Sequence, residues 1–262
     1  MKRLSLFLGV MVILGAALGF VPVAHADVNN FTIDNFSADY TLGQDDPQGT
    51  LTVKEQLNVD FTDYNHGILR ALPERYNSMP LHISIGQVSR DGVTEPYTTY
   101  KSNGNMVLKI GNATQTITGL HRYEIDYKVA NVMRFVGDGA ELDWNVNGTE
   151  WSQPFLRVSA QLHVPANLAG KLTANKCFTG ATGSTSSDCV VSAANGVETF
   201  TTTRELSAGE TLTFNDHVPA GYFKKPTLAD RWADYKQAIL PAAGIPFVTL
   251  LLVGGLWYRI GR

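Results

Sequence analysis

The stretch Glu141-Leu142-Asp143-Trp144-Asn145-Val146-Asn147-Gly148-Thr149-Glu150-Trp151 gathers carboxylates and two tryptophans into one short segment. Paired carboxylates beside aromatic rings are the composition of a glycosidase site or a sugar-binding platform. Trp144, Trp151, Glu141, Asp143 and Glu150 are therefore the candidate binding residues. The same string also reads as strand, Asn-Gly turn, strand, with each tryptophan packed into a core. Geometry separates the two readings. An open cleft holding two of these carboxylates about 5–10 Å apart favours sugar chemistry, and tryptophans turned inward favour packing. Asp138, Glu141 and Asp143 suggest calcium, but their spacing matches no complete loop signature.

Glu55 is the second anomaly. Leu51, Val53, Leu57, Val59 and Phe61 mark one face of a strand over Thr50–Phe61, and Glu55 falls on that face. A buried carboxylate needs a cation, hydrogen bonds or a proton. Arg70, in Gly67-Ile68-Leu69-Arg70-Ala71-Leu72-Pro73, is the attractive partner, because its planar fork accepts a carboxylate in two places. The predicted outcome is a structural ion pair; a functional carboxylate or an exposed edge position are the alternatives. Cys177 and Cys189 are the only cysteines and flank a Gly/Ser/Thr-rich stretch. Outside the cytoplasm such a pair oxidises, and a disulfide is expected in preference to two free thiols. The histidines show no metal spacing, and no nucleotide-binding glycine loop or nucleophile elbow is present. The reading is of a chain without catalytic residues, metal or cofactor, and so not an enzyme.

The elements that would position these residues are strands. Period-two alternation recurs at Arg122–Val129 and Arg157–Val164, and further strands are predicted at Phe31–Tyr40, Leu81–Val88, Asn105–Ile110, Glu198–Thr203 and Thr211–Asn215. Asp91-Gly92, Asn103-Gly104, Asn147-Gly148 and Asn195-Gly196 supply the positive φ that tight hairpins require. Together they predict a mainly β chain with an antiparallel β-sandwich over 27–225, as one unit or two sub-sandwiches.

Both ends are apolar. Lys2 and Arg3 precede the run Leu4–Phe20, and Ala24-His25-Ala26 fits signal peptidase, so residues 1–26 read as a signal peptide cut after Ala26, against the alternative of an uncleaved anchor. Ala238–Tyr258 carries no charge and is long enough to span a bilayer as a transmembrane helix, with Trp257 and Tyr258 at an interface and residues 259–262 as a cytoplasmic tail. Residues 226–237 read as a juxtamembrane helix capped by Thr227 and Asp230, with Leu228, Trp232, Tyr235 and Ile239 on one stripe. Net charge is −3, which suggests no nucleic-acid partner.

Glu55, the His66–Pro73 string, Tyr123-Glu124-Ile125-Asp126-Tyr127, Leu142–Trp151 and Val218-Pro219-Ala220-Gly221-Tyr222-Phe223 occur in the order found in the predicted membrane protein family DUF2207, which the sequence resembles from Phe31 to the membrane helix. The resemblance implies a signal peptide, an extracytoplasmic β domain and C-terminal membrane helices, and implies no activity. Typical members continue past the first helix; an end at Arg262 fits a short variant, a separately encoded partner domain or a truncated chain. The expected function is a single-pass, membrane-anchored interaction module of the bacterial envelope, its body outside the cytoplasm, binding protein partners or envelope polymers. The alternative is a cell-wall carbohydrate-active enzyme or lectin-like binder using Glu141–Trp151.

Overall fold

The computed structural model describes residues 30–76, 79–234 and 259. The expected signal peptide and the expected membrane span over Ala238–Tyr258, with Tyr235 and Ile239, lie outside the described residues. Among the described residues no helix is long and apolar enough to cross a membrane.

In chain order the strands are β1 (Phe31–Gly43), β2 (Thr50–Asn65), β3 (Ile68–Pro73), β4 (Arg75–Tyr76), β5 (Met79–Pro80), β6 (His82–Arg90), β7 (Val93–Thr94), β8 (Tyr97–Ser102), β9 (Asn105–Ile110), β10 (Ile117–Ala130), β11 (Arg134–Val136), β12 (Gly139–Asn145), β13 (Val158–His163), β14 (Thr173–Gly180), β15 (Cys189–Ala194), β16 (Val197–Thr202) and β17 (Thr211–Val218). The chain is mainly β. One sheet runs β15-β16-β13-β1-β2-β10-β6-β7; a second runs β11-β12-β17-β14, a third β3-β9-β8, and β4 pairs with β5.

The alternation in β2 is what the fold uses. Leu51, Val53, Glu55, Leu57, Val59 and Phe61 are buried, while Thr52 and Lys54 are exposed. β10 lies antiparallel beside it, with Tyr123 opposite Leu57, Ile125 opposite Glu55 and Tyr127 opposite Val53, so both strands send the same rows inward. The second sheet packs on this inner face: Phe200 of β16 stacks on Phe214 of β17 with centroids 5.0 Å apart, and Tyr40 of β1 meets Phe214 edge-on at 5.5 Å. The buried apolar residues form one continuous cluster.

Three of the four Asx-Gly pairs are tight hairpin turns: Asp91-Gly92, Asn103-Gly104 and Asn195-Gly196 all have positive φ at both positions. Asn147-Gly148 is different. Only Gly148 has positive φ, and after β12 ends at Asn145 the chain continues as loop, so the expected second strand up to Trp151 does not form.

A further correction concerns the purely antiparallel sandwich. β1 and β13 run parallel, from Phe36 opposite Val158 to Thr41 opposite His163. Parallel neighbours need a long crossover, and here everything from β2 to β12 lies between them. At the C-terminal side, among the described residues, a helix over 228–234 is capped at Thr227: Thr227 Oγ1 accepts from Asp230 N–H at 3.2 Å, and the Asp230 carboxylate accepts from Thr227 N–H at 2.8 Å. Leu228 and Trp232 on its stripe are exposed.

Candidate functional site

Glu55 and Arg70 are the point from which the site is built. Both are buried, and they meet in the two-pronged geometry that only a guanidinium fork offers. Nε donates to Oε2 at 2.8 Å and Nη2 to Oε1 at 2.6 Å. The remaining N–H groups are also used: Nη1 donates to the carbonyls of Ala71 at 2.9 Å and Asn147 at 2.8 Å, and Nη2 to that of Val146 at 3.3 Å. Tyr127 donates its hydroxyl to Glu55 Oε1 at 2.6 Å. Burial, with the Glu55 charge close by, holds the Tyr127 hydroxyl well above its ordinary pKa, so it remains a donor. The guanidinium also lies 5.5 Å from the Phe36 ring centre.

This network fixes the loop that follows β12. Asn147 is buried and its carbonyl receives both Arg70 and the indole N–H of Trp151 at 2.8 Å. Its side chain accepts from Leu212 N–H at 2.9 Å and Thr211 Oγ1 at 3.1 Å, and donates to the Glu210 carbonyl at 2.9 Å. The loop is thereby pinned to β3 on one side and β17 on the other.

Between this loop and the sheet of β3, β9 and β8 runs an open, mainly apolar groove of about 540 Å³. Phe31, Leu69, Tyr100, Ile110 and Trp151 line it, with Lys109, His66 and Glu150 as its ionisable members. At one end Gly67 and Gly111 allow two backbones to touch. A Cβ on Gly67 would lie 1.9 Å from the Ile110 carbonyl oxygen, and one on Gly111 1.9 Å from that of His66. Nothing larger than glycine fits at either place.

β8 is the edge of the small sheet, and all six of its residues are exposed. The Asn103-Gly104 turn sets Ser102 opposite Asn105. Backbone groups along an antiparallel strand alternate in direction, so Ser102, Tyr100 and Thr98 bond to β9, and Lys101, Thr99 and Tyr97 direct theirs outward. Tyr100 thus belongs both to the groove and to an open edge.

The eleven-residue candidate segment is divided by the fold rather than gathered. Trp144 and Trp151 are 3% and 5% exposed, so both belong to the core. Glu141 pairs with Arg134 of β11. Asp143 hydrogen-bonds to Tyr76, and burial raises its pKa although Arg134 opposes the shift. Glu150 is exposed and lines both the groove and a smaller neighbouring cleft. Cys177 and Cys189 form a disulfide with Cα atoms 6.2 Å apart, joining β14 to β15 and so one sheet to another. Among the described residues no group of three or more His, Cys, Asp or Glu could hold a metal ion.

One pair lay beyond the sequence reading. Asp216 of β17 and Glu198 of β16 are buried, and their carboxyls interact directly with each other. Glu198 Oε1 accepts from Asn175 at 2.6 Å, delivered by a bulge in β14 where Ala174 and Asn175 have positive φ. Burial and the charge of Glu198 push the Asp216 pKa up to about 8, and burial raises that of Glu198. Two carboxyls this close cannot both ionise, so the pair holds a proton at neutral pH. Leu212, Phe214, Asp216 and Val218 alternate inward, the same signal that marked Glu55, but the predicted strand stopped at Asn215.

The fold is thus an all-β domain of several sheets around one core. Residues 32–215 match the N-terminal domain of the predicted membrane protein family DUF2207, and the chain belongs to that family. A comparison with curated proteins finds no match. Among solved structures, leukotriene A4 hydrolase from Saccharomyces cerevisiae is similar at 7% identity and a TM-score of 0.47, over 72% of this chain and 30% of its own. An M1 zinc metallopeptidase from Deinococcus radiodurans is similar at 12% identity and a TM-score of 0.41, over 71% of this chain and 42% of its own. The chain spans less than half the length of either.

Proposed function

We propose that this chain is a membrane-anchored, extracytoplasmic interaction domain of the bacterial envelope, acting by binding and not by catalysis. Its occupant is an extended segment of a protein partner bearing apolar side chains. The observation that carries this reading is the groove of Phe31, Leu69, Tyr100 and Trp151 beside the open edge of β8. A strand added to that edge gains backbone hydrogen bonds from Tyr97, Thr99 and Lys101, and its alternate side chains fall on the groove side, next to Tyr100. Affinity then comes from the backbone, and selectivity from what the groove accepts. Arg70 and Asn147 support this by holding the Trp151 wall rigid before any partner arrives.

Family membership supports the membrane part of the proposal. The single C-terminal span and the outward body rest on the apolar run Ala238–Tyr258 and the leader. The test is co-purification from solubilised membranes with the wild type, Leu69→Glu and Tyr100→Glu. Partners retained by the wild type and lost from both variants support the proposal. An unchanged set in both variants, with folding intact by circular dichroism, overturns it.

A further inference from the structure

The outward face of the second sheet is polar, as expected for the solvent side of a sandwich, yet part of it is walled on one side by a loop. Register places Asn145 of β12 opposite Thr213 of β17, and Thr213 opposite Phe178 of β14. One row along, Asp143 faces Asn215. The chain from Gly180 to Ser184, together with Tyr76, borders this surface and makes it an open cleft of about 350 Å³. That volume is at the small end of the range for small-molecule sites, about 300–1,000 Å³.

The wall is braced by its own hydrogen bonds. Gly180 and Gly183 have positive φ, and a Cβ on Gly180 would lie 2.6 Å from Ser184 Oγ. Ser184 Oγ donates to the Thr179 carbonyl at 2.8 Å, Ser184 N–H to the Ala181 carbonyl at 2.9 Å and Thr179 N–H to the Ser186 carbonyl at 2.8 Å. The Cys177–Cys189 disulfide closes the base of the same loop. A wall held this way costs little further ordering when something binds beside it.

The lining offers a specific mixture. Asp143 accepts from Tyr76, and a carboxylate has acceptor sites to spare. Thr213 donates to Asn145 Oδ1 at 2.7 Å, which leaves the Asn145 amide nitrogen without a partner among the described residues. Thr211 and Thr213 add hydroxyls, and Phe178 adds an aromatic ring. Acceptors and donors side by side on one strand, next to a ring for a C–H face, are what a neutral sugar ring requires.

We infer that this cleft is a second binding site, distinct from the groove, and that it takes a neutral saccharide of one or two rings. Phe178 stacks against the C–H face, and Asp143 and Asn145 hold adjacent hydroxyls. Trp144 and Trp151, buried on the other side of the same segment, take no part.

The test is saturation-transfer difference NMR on the full chain in nanodiscs, with cellobiose, maltose and N,N′-diacetylchitobiose as the probes. Expected is saturable transfer to the C–H protons of at least one disaccharide, with a dissociation constant in the millimolar range typical of weak sites. Phe178→Ala and Asp143→Asn should each weaken it about tenfold or more, equivalent to about 1.4 kcal/mol, without a change in the circular dichroism spectrum. Absence of transfer to all three probes, or transfer that both variants leave unchanged, overturns the inference.

Discussion

Replacing Arg70 by alanine should be among the most damaging single changes in this domain. Its side chain is 3% exposed and that of Glu55 is 0% exposed, so the substitution leaves a carboxylate in the core with Tyr127 as its one remaining side-chain donor among the described residues. Stranding one partner of a buried pair costs roughly 3–5 kcal/mol. For a domain of this size about 1 kcal/mol lowers Tm by about 2–4 °C, so Tm should fall by about 6–20 °C. Glu55→Gln should cost less, because the amide oxygen still accepts and Arg70 keeps the Ala71 and Asn147 carbonyls. The double variant Glu55→Leu/Arg70→Met is the sharper test. It removes both charges together, and Val146 and Asn147 retain the Tyr40 hydroxyl at 3.3 Å and the Trp151 indole at 2.8 Å. It should therefore lose much less than the two single truncations, Glu55→Leu and Arg70→Met, added together, with a coupling energy of about 3 kcal/mol. The assay is thermal and urea unfolding of all the variants. Strict additivity, or an Arg70→Ala cost below about 1 kcal/mol, would refute the argument that the pair is a desolvated unit.

Other outcomes follow from the same geometry. Cys177→Ser/Cys189→Ser should lower stability by roughly 3 kcal/mol in the chain-entropy model, and a non-reducing mass map of the wild type should find no alkylatable thiol. Asp216 has a folded-state pKa of about 8 against an ordinary 3.8. Its contribution is therefore fully present below pH 3.8 and lost as pH rises through 8, by up to about 1.4 kcal/mol per pH unit. Asp216→Asn should flatten the decline in Tm between pH 5 and pH 8; an equal decline in the variant contradicts the assignment. Gly67→Ala should destabilise severely, because its Cβ would meet a carbonyl oxygen that belongs to a paired backbone; a change in Tm of less than about 2 °C, which for a domain of this size is under about 1 kcal/mol, would show that the backbones can separate. Protease added to spheroplasts should digest the β domain, and full protection would reverse the proposed orientation.

Much of the fold could be read in advance because a half-buried strand writes its register into the sequence. Glu55 was conspicuous for the same reason, an acid among Val53, Leu57 and Val59, and the structure places it against Arg70. The Asx-Gly pairs at 91, 103 and 195 define their hairpins through local backbone preference alone. What was not legible depends on long-range contact. β3 is short and lacks clean alternation, so its pairing with β9 had no local signature. The parallel alignment of β1 and β13 leaves no mark in either strand. Asn147-Gly148 carries a hairpin signal, but Asn147 is claimed by Leu212, Thr211 and Arg70, and tertiary bonds override the turn. The candidate site suffered most. The Glu141–Trp151 segment looked like one cluster, yet alternation sends Trp144 inward while Glu141 and Asp143 face the other way. The apolar groove arises from residues as distant in sequence as Phe31, Tyr100 and Trp151.

The central claim is that the groove beside β8 receives an extended partner segment. Site-specific photocrosslinking in intact membranes tests it most directly, with the reactive residue at position 100 in the groove and, as a control, at exposed position 120 on β10. The account predicts a discrete adduct at position 100, absent at 120, lost when Leu69→Glu is added, and mapping by mass spectrometry to an apolar, extended stretch of one protein. Equal labelling at both positions, or an adduct at 100 that Leu69→Glu leaves intact, would contradict it.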